Sequence, residues 1–483
     1  MRLTHLVGLS FVCMFSTSAG VWALTPADAA GAEAANVPLT VAAPEEEPQA
    51  VPVVSKPGTL SFEARLGHQQ LPSGIANRSF VSIEVSAPDS APGVAKQPLN
   101  LAIAIDRSGS MKGVRLTNAV NAARAMVQRL RDGDAVSLVS YNTQTEILAD
   151  SVTIDGSSRQ RVMDALDRIT AQGDTCISCG LEESMRLLQK RSNMVDRILL
   201  LSDGQPTSGL RSVDDFRSLA ARSARMDCAI SSIGIDVDYN EKLLIALATG
   251  TNGRHHFAEQ AKDLAQVFDT ELASLQSTVA DAAEVELKLA PGVRLQKIYD
   301  RPFRQEGDRV FVSLGSFATK DVKTVLAEVE VPAGADGTRP VAQVNLAYTD
   351  LMRGGASKTE AALSTALLTG IAPRLDPIVE ARVARAGTAD SLTRANVLFG
   401  NGDVAAAKQE LRRQIDDLST RAKAPAPARA KASLESQLSD LKATQTDFED
   451  AELDAPAPKE APKSRDGKAG QKKTGGRVIS NRL

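Results

Sequence analysis

Between Pro98 and Leu275, short and nearly continuous apolar runs alternate with stretches of helical periodicity, a pattern that few architectures accept. Leu99–Ile105 (LNLAIAI), Arg197–Leu201 (RILLL) and Cys228–Ile235 (CAISSIGI) are too short for helices and suit strands buried on both faces. Ala135–Tyr141 (AVSLVSY) and His255–Phe257 read as further strands. Leu116–Leu130, Arg161–Ile169, Leu181–Leu188, Val213–Met226, Leu243–Ala248 and Leu264–Leu275 read as helices, with apolar residues recurring three and four apart. The alternation predicts an α/β fold: a doubly wound, mostly parallel sheet with helices on both faces. On such a sheet ligands bind beyond the carboxyl ends of the strands, where the strand order reverses.

The turn after Ile105 is Asp106-Arg107-Ser108-Gly109-Ser110. It offers one carboxylate and two hydroxyls at alternate positions, on one side of a loop. Hard oxygens carrying little total charge suit Mg²⁺ or Mn²⁺, with waters completing an octahedron. The same residues also suit a capping cluster for the first turn of the next helix. Two more loops reach the same rim. Gly173-Asp174-Thr175 precedes a helix beginning near Ile177, and Ser202-Asp203-Gly204 follows the strand RILLL. They add a hydroxyl and a second carboxylate.

D-x-S-x-S followed by Thr and Asp in separate loops resembles the metal ion-dependent adhesion site of von Willebrand factor type A domains. Asp106, Ser108, Ser110, Thr175 and Asp203 match it residue by residue, and the resemblance covers roughly residues 97–276. The stretch from Gly234 to Leu244 is similar to inter-alpha-trypsin inhibitor heavy chains and to bacterial exported homologues of calcium-activated chloride channels. Asp236 stands there where Gly is usual. The resemblance implies a Rossmann-like type A domain holding Mg²⁺, or Mn²⁺ or Ca²⁺ in its place. Ser108, Ser110 and Thr175 would touch the cation directly or through water, and Asp106 and Asp203 would hold those waters. The open position would take an acidic side chain from a protein partner, with Met111 and Lys112 shaping the rim. The channel name carries no weight, because one marginal apolar segment cannot line a pore.

Three features depart from that pattern or stand beside it. Asp174 adds a carboxylate at the rim. Cys176 and Cys179 form a C-x-x-C at a helix N-terminus, which fits either a static disulfide or an active redox pair. A four-thiolate zinc site is excluded, since Cys228 is the only cysteine beyond that pair outside the N-terminal segment. His255 and His256 are adjacent on an expected strand, so they point to opposite faces and are read as structural.

The flanks complete the expected organisation. Arg2 and His5 precede an uncharged stretch to Ala23, so residues 1–23 read as a signal peptide or, alternatively, an uncleaved anchor. Residues 24–57, rich in Ala, Pro and Glu, read as a disordered linker. Residues 58–96 and 277–350 show alternating strand patterns, expected to form one β-sandwich into which residues 97–276 are inserted. Residues 358–450 read as a helical region, and 451–483, with eight Lys/Arg against four Asp/Glu, as a disordered basic tail with a weak affinity for anionic or membrane surfaces. A net charge of −3 and 4% aromatics argue against nucleic acid as a partner. No Walker loop, nucleophile elbow or Ser/His/Asp set is apparent, and no small-molecule substrate is implied. The expectation is an exported, non-enzymatic protein of the periplasm, cell surface or secreted space, acting in adhesion or envelope complex assembly. The rival readings are a thiol-redox protein using Cys176 and Cys179, and a metal-free scaffold.

Overall fold

The computed structural model describes residues 52–56, 58–90, 97–189, 191, 194–203, 205–236 and 239–482. The expected signal segment 1–23 and most of the expected linker lie outside them. The chain begins with strands β1 (Val53–Ser55), β2 (Ser61–Leu66), β3 (Gln70–Pro72) and β4 (Asn77–Ser86), so the linker expected to run to residue 57 gives way to a strand at Val53. An α/β unit follows: β5 (Leu99–Asp106), α1 (Val114–Arg129), β6 (Ala135–Tyr141), β7 (Thr145–Thr153), α2 (Gly156–Leu166), α3 (Ile177–Leu188), β8 (Val195–Ser202), α4 (Val213–Ala224), β9 (Ala229–Ile235), α5 (Glu241–Gly250), β10 (His255–Ala258) and α6 (Ala261–Gln276). Then come β11 (Thr278–Leu289), β12 (Arg294–Ile298), β13 (Arg304–Glu306), β14 (Arg309–Ala318), β15 (Val322–Val331), β16 (Gly337–Asp350) and β17 (Ala356–Leu368). Four helices finish it: α7 (Pro377–Gly400), α8 (Val404–Lys423), α9 (Ala428–Leu453) and α10 (Arg465–Ser480).

The central sheet has the order β10-β9-β8-β5-β6-β7, parallel except for β7, which runs antiparallel to β6. Every residue of β5, β6 and β9 is buried, as a sheet covered by helices on both faces requires. After β5 the chain first builds outward through β6 and β7. It then returns to place β8 on the other side of β5. The switch point therefore lies between the carboxyl ends of β5 and β8, at Asp106 and Ser202.

The flanks form two sheets around one core. One has the order β1-β2-β4-β15-β12 and the other β13-β14-β11-β16-β17-β3. Leu60, Phe62, Ile83, Val285, Phe317, Val329 and Leu346 from both sheets share that core. β4 pairs antiparallel with β15 along its whole length, from Asn77 against Val331 to Ser86 against Val322. The α/β unit is thus inserted between β4 and β11. The region expected to be helical from residue 358 is a strand as far as Leu368. Its Ala-rich composition suggests a helix, but Thr359, Ala361, Leu363, Thr365 and Leu367 are buried at every second position.

Helices α7–α10 pack on one another around Leu392, Phe399, Leu411, Leu441 and Phe448, with the Phe399 and Phe448 rings stacked 4.0 Å apart. Asp376 caps α7 by accepting from Ile378 N and Val379 N. The tail expected to be disordered contains α10, which lies against α5, α7, α9 and β10. Four of its residues are Gly, a poor helix former, so its helicity comes from packing rather than propensity. Gly467 and Gly475 sit where a Cβ would come within 1.9 Å of Ala461 O and 1.6 Å of Glu241 Oε1. Its basic residues are paired within the chain: Arg465 with Asp236 and Glu259, Lys472 with Glu241, and Arg477 with Asp447. No helix among the described residues is long and apolar enough to cross a membrane.

Candidate metal centre

β5 ends at Asp106, whose carboxylate is fully buried. Its Oδ1 accepts from Ser108 N at 2.9 Å and its Oδ2 from Ser202 Oγ at 2.8 Å. Burial pushes the Asp106 pKa up to about 6 and the charge of Asp203 adds to the rise, while the bonds from Ser108 and Ser202 oppose it. Ser108 precedes a short 3₁₀ turn at Gly109–Met111 and α1 starts after Gly113, yet neither start carries a side-chain cap. The hydroxyls face each other instead: Ser108 Oγ lies 3.0 Å from Ser110 Oγ, and Ser110 Oγ donates to Asp203 Oδ1 at 2.8 Å. The capping alternative therefore fails here, and four of the five expected residues form one hydrogen-bonded string from β5 to β8.

Thr175 stands in a loop that is tied to the rim. Gly109 N donates to Gly173 O and Gln172 N to Arg107 O, which binds this loop to the Asp106–Ser110 turn. Thr175 is buried, with its amide on Thr207 Oγ1 at 2.8 Å and its carbonyl accepting from Thr207 N and Ser208 N. The next residue, Cys176, occupies the N-cap position of α3 without a side-chain cap and is disulfide-bonded to Cys179. Asp174 is exposed, and its amide donates to Thr143 Oγ1.

Sequence reasoning missed Arg115, in the first turn of α1. Its Nη1 donates to Asp203 Oδ2 at 3.2 Å and to Ser110 O at 3.0 Å. Its Nε and Nη2 donate to Asp236 Oδ2 at 3.0 and 2.6 Å. Burial raises the Asp203 pKa against the pull of Ser110 and Arg115. The signal for this arrangement was Asp236 itself, an acid where Gly is usual.

The two histidines sit on opposite faces of β10. His255 is held between Ser232 Oγ at 2.9 Å and Tyr239 OH at 3.1 Å, and His256 reaches Glu271 at 2.8 Å. Among the described residues no three His, Cys, Asp or Glu side chains cluster as a metal site. The rim brings together the Asp106 and Asp203 carboxylates and the Ser108 and Ser110 hydroxyls, with Thr175 on the adjoining loop, and such a donor set fits a hard cation that keeps part of its water, not a soft or tightly caged one.

Residues 100–270 match the family model for the von Willebrand factor type A domain. An uncharacterised protein of Synechocystis is 24% identical over 266 residues, 52% of this chain and 62% of that protein. Mouse inter-alpha-trypsin inhibitor heavy chain H2 is 29% identical over 155 residues, covering 30% of this chain and 16% of its own length. This chain thus spans less than two thirds of either relative. Among solved structures, the von Willebrand factor type A protein from Catenulispora acidiphila superposes with a TM-score of 0.66 at 17% identity, over 83% of this chain and 91% of that one. The central α/β unit is a von Willebrand factor type A domain.

Proposed function

We propose that this protein binds partner proteins through a divalent cation, Mg²⁺ before Mn²⁺ or Ca²⁺, held by Asp106, Ser108, Ser110, Thr175 and Asp203. One observation carries the reading. Two serine hydroxyls that do no capping are strung between two buried carboxylates at the switch point of a parallel sheet. The hydroxyls would meet the cation and the carboxylates would hold its waters. With so few direct charges on it, the ion stays electrophilic enough to take a Glu or Asp from a partner. Lys112, exposed beside the rim, would favour an acidic approach.

The sequence 6–23 and the disulfide within the domain support an exported protein acting in adhesion or envelope complex assembly, since disulfides persist in oxidising compartments. The test is Mg²⁺ and Mn²⁺ titration calorimetry on the full chain beside Asp106→Ala, followed by capture of envelope proteins with and without chelator. Saturable binding that the variant loses, and capture that the chelator abolishes, are expected. Absence of binding by the unaltered chain, or equal binding by Asp106→Ala, overturns the proposal.

A further inference from the structure

The disulfide begins one residue after Thr175, and its buried half lies under the loop that holds the Thr175 backbone. Cys176 is 1% exposed. Gly209 closes over it: a Cβ there would lie 2.5 Å from Cys176 Sγ and 2.5 Å from Ser178 Oγ, and Ser178 Oγ accepts from Leu210 N at 3.0 Å. The same 207–210 loop supplies Thr207 and Ser208, which take both backbone bonds of Thr175. Cys179, by contrast, is only half-buried on the first turn of α3. Cys179 is thus the less buried of the two, and Cys176 lies beneath the loop that holds the Thr175 backbone.

From this geometry we infer that Cys176–Cys179 is a thiol–disulfide exchange site whose redox state sets cation affinity at the neighbouring rim. The inference rests on the cation reading of that rim. A thiolate of a dithiol reductant attacks Cys179 Sγ, the Cys176–Cys179 bond breaks, and its electron pair leaves on Cys176, which then takes a proton. The reductant's second thiolate attacks its own sulfur in the mixed disulfide and releases Cys179 as a thiolate, which is protonated in turn. Two electrons and two protons reach the protein, and the dithiol becomes a disulfide. The N-terminus of α3 stabilises the thiolates formed along the way.

Once the bond is open, Cys176 Sγ is no longer held at bonding distance from its partner. A shift of Cys176 Sγ presses on Gly209 and the loop beyond. Thr207 and Ser208 shift with that loop, and the Thr175 backbone shifts with them. Cation binding and the disulfide are then linked, and linkage is reciprocal: whatever factor reduction costs in cation affinity, the cation returns as resistance to reduction.

The experiment uses the full chain and Mn²⁺ as the probe. Mn²⁺ affinity is measured by electron paramagnetic resonance on oxidised protein, on protein reduced by dithiothreitol and desalted under argon, and on Cys176→Ser/Cys179→Ser. Reduction and the double substitution are each expected to weaken Mn²⁺ binding about tenfold. In the reciprocal measurement, saturating Mn²⁺ is expected to raise by the same factor the dithiol-to-disulfide ratio needed to expose two further thiols to alkylation. That second readout keeps the inference testable if the double variant folds poorly. Equal Mn²⁺ affinity in oxidised and reduced protein overturns the inference and leaves the cation site standing. No Mn²⁺ binding by oxidised protein overturns the cation site and this inference together.

Discussion

Arg115 puts a guanidinium against the carboxylate that the proposed cation needs, and replacing it should tighten cation binding. Its Nη1 lies 3.2 Å from Asp203 Oδ2 while Nε and Nη2 hold Asp236. At an effective dielectric of about 20, a charge pair at that distance attracts by about 5 kcal/mol. The Arg115 side chain is 31% exposed, and solvent plus the entropy of holding it cut the net to about 1–2 kcal/mol. A cation entering the rim competes for the same negative charge. Removing Arg115 therefore strengthens binding by roughly five- to thirtyfold. Asp236→Asn should do the opposite, because a guanidinium released from Asp236 swings wholly onto Asp203. Mn²⁺ titration calorimetry on Arg115→Gln, Arg115→Lys, Asp236→Asn and the unaltered chain should rank Arg115→Gln tightest and Asp236→Asn weakest, with Arg115→Lys near the parent. Arg115 also donates to Ser110 O. Weaker binding by Arg115→Gln would show that this bond, holding the turn in shape, is the residue's contribution, and the charge argument would be refuted.

His255 is buried without charge, its pKa pushed down to about 3 by burial, with His256 and Lys472 adding to the fall. An unfolded imidazole titrates near 6.5, so between about pH 6.5 and 3 the unfolded chain binds a proton that the fold refuses, and acid costs stability. By pH 5 this amounts to about 2 kcal/mol, and urea unfolding of His255→Gln at pH 7.5 and pH 5 should show a pH dependence flatter by that amount. Phe448→Ala empties a fully buried stack against Phe399 and should cost about 3–5 kcal/mol in denaturant unfolding; a loss under 1 kcal/mol would contradict the packing. Gly467→Ala drives a methyl into the Ala461 carbonyl and should loosen α10, a net cost of about 1–2 kcal/mol after the gain in helix propensity. Faster proteolysis within residues 465–480 would report it.

The parallel sheet was legible because its strands are buried on both faces, which leaves short apolar runs such as Leu99–Ile105 that no surface element resembles. β17 was not, because alanine carries no strand signal and the buried face mixes Thr and Ala with Leu while Ala also stands on the exposed face, so no clean apolar alternation shows. α10 was hidden by its glycines. In a sequence they argue against a helix, yet at Gly467 the helix runs too close to the Ala461 backbone for any side chain, and at Gly475 it lies against the Glu241 carboxylate. Local propensity marks that segment as tail, and only the tertiary contact reverses the reading.

The candidate site divides along the same line. Asp106, Ser108, Ser110 and Asp203 lie at the ends of two adjacent strands, so motif spacing was enough to bring them to one rim. Arg115 and Asp236 meet only because strand order sets β9 beside β8 and the first turn of α1 projects between their ends. Asp236 also takes Arg465 of α10 at 3.3 Å, so one carboxylate is shared by the rim and the last helix of the chain. If Arg465 is removed, Asp236 can give more of its charge to Arg115, which draws the guanidinium away from Asp203. Arg465→Ala should therefore tighten Mn²⁺ binding in the same direction as Arg115→Gln but by less, about two- to threefold, because it acts through one more ion pair. In an Arg115→Gln background the same change should do nothing, since the link it acts through is gone. A full effect of Arg465→Ala in that background would mean that α10 acts on the rim by its own field, and the Asp236 relay would be discarded.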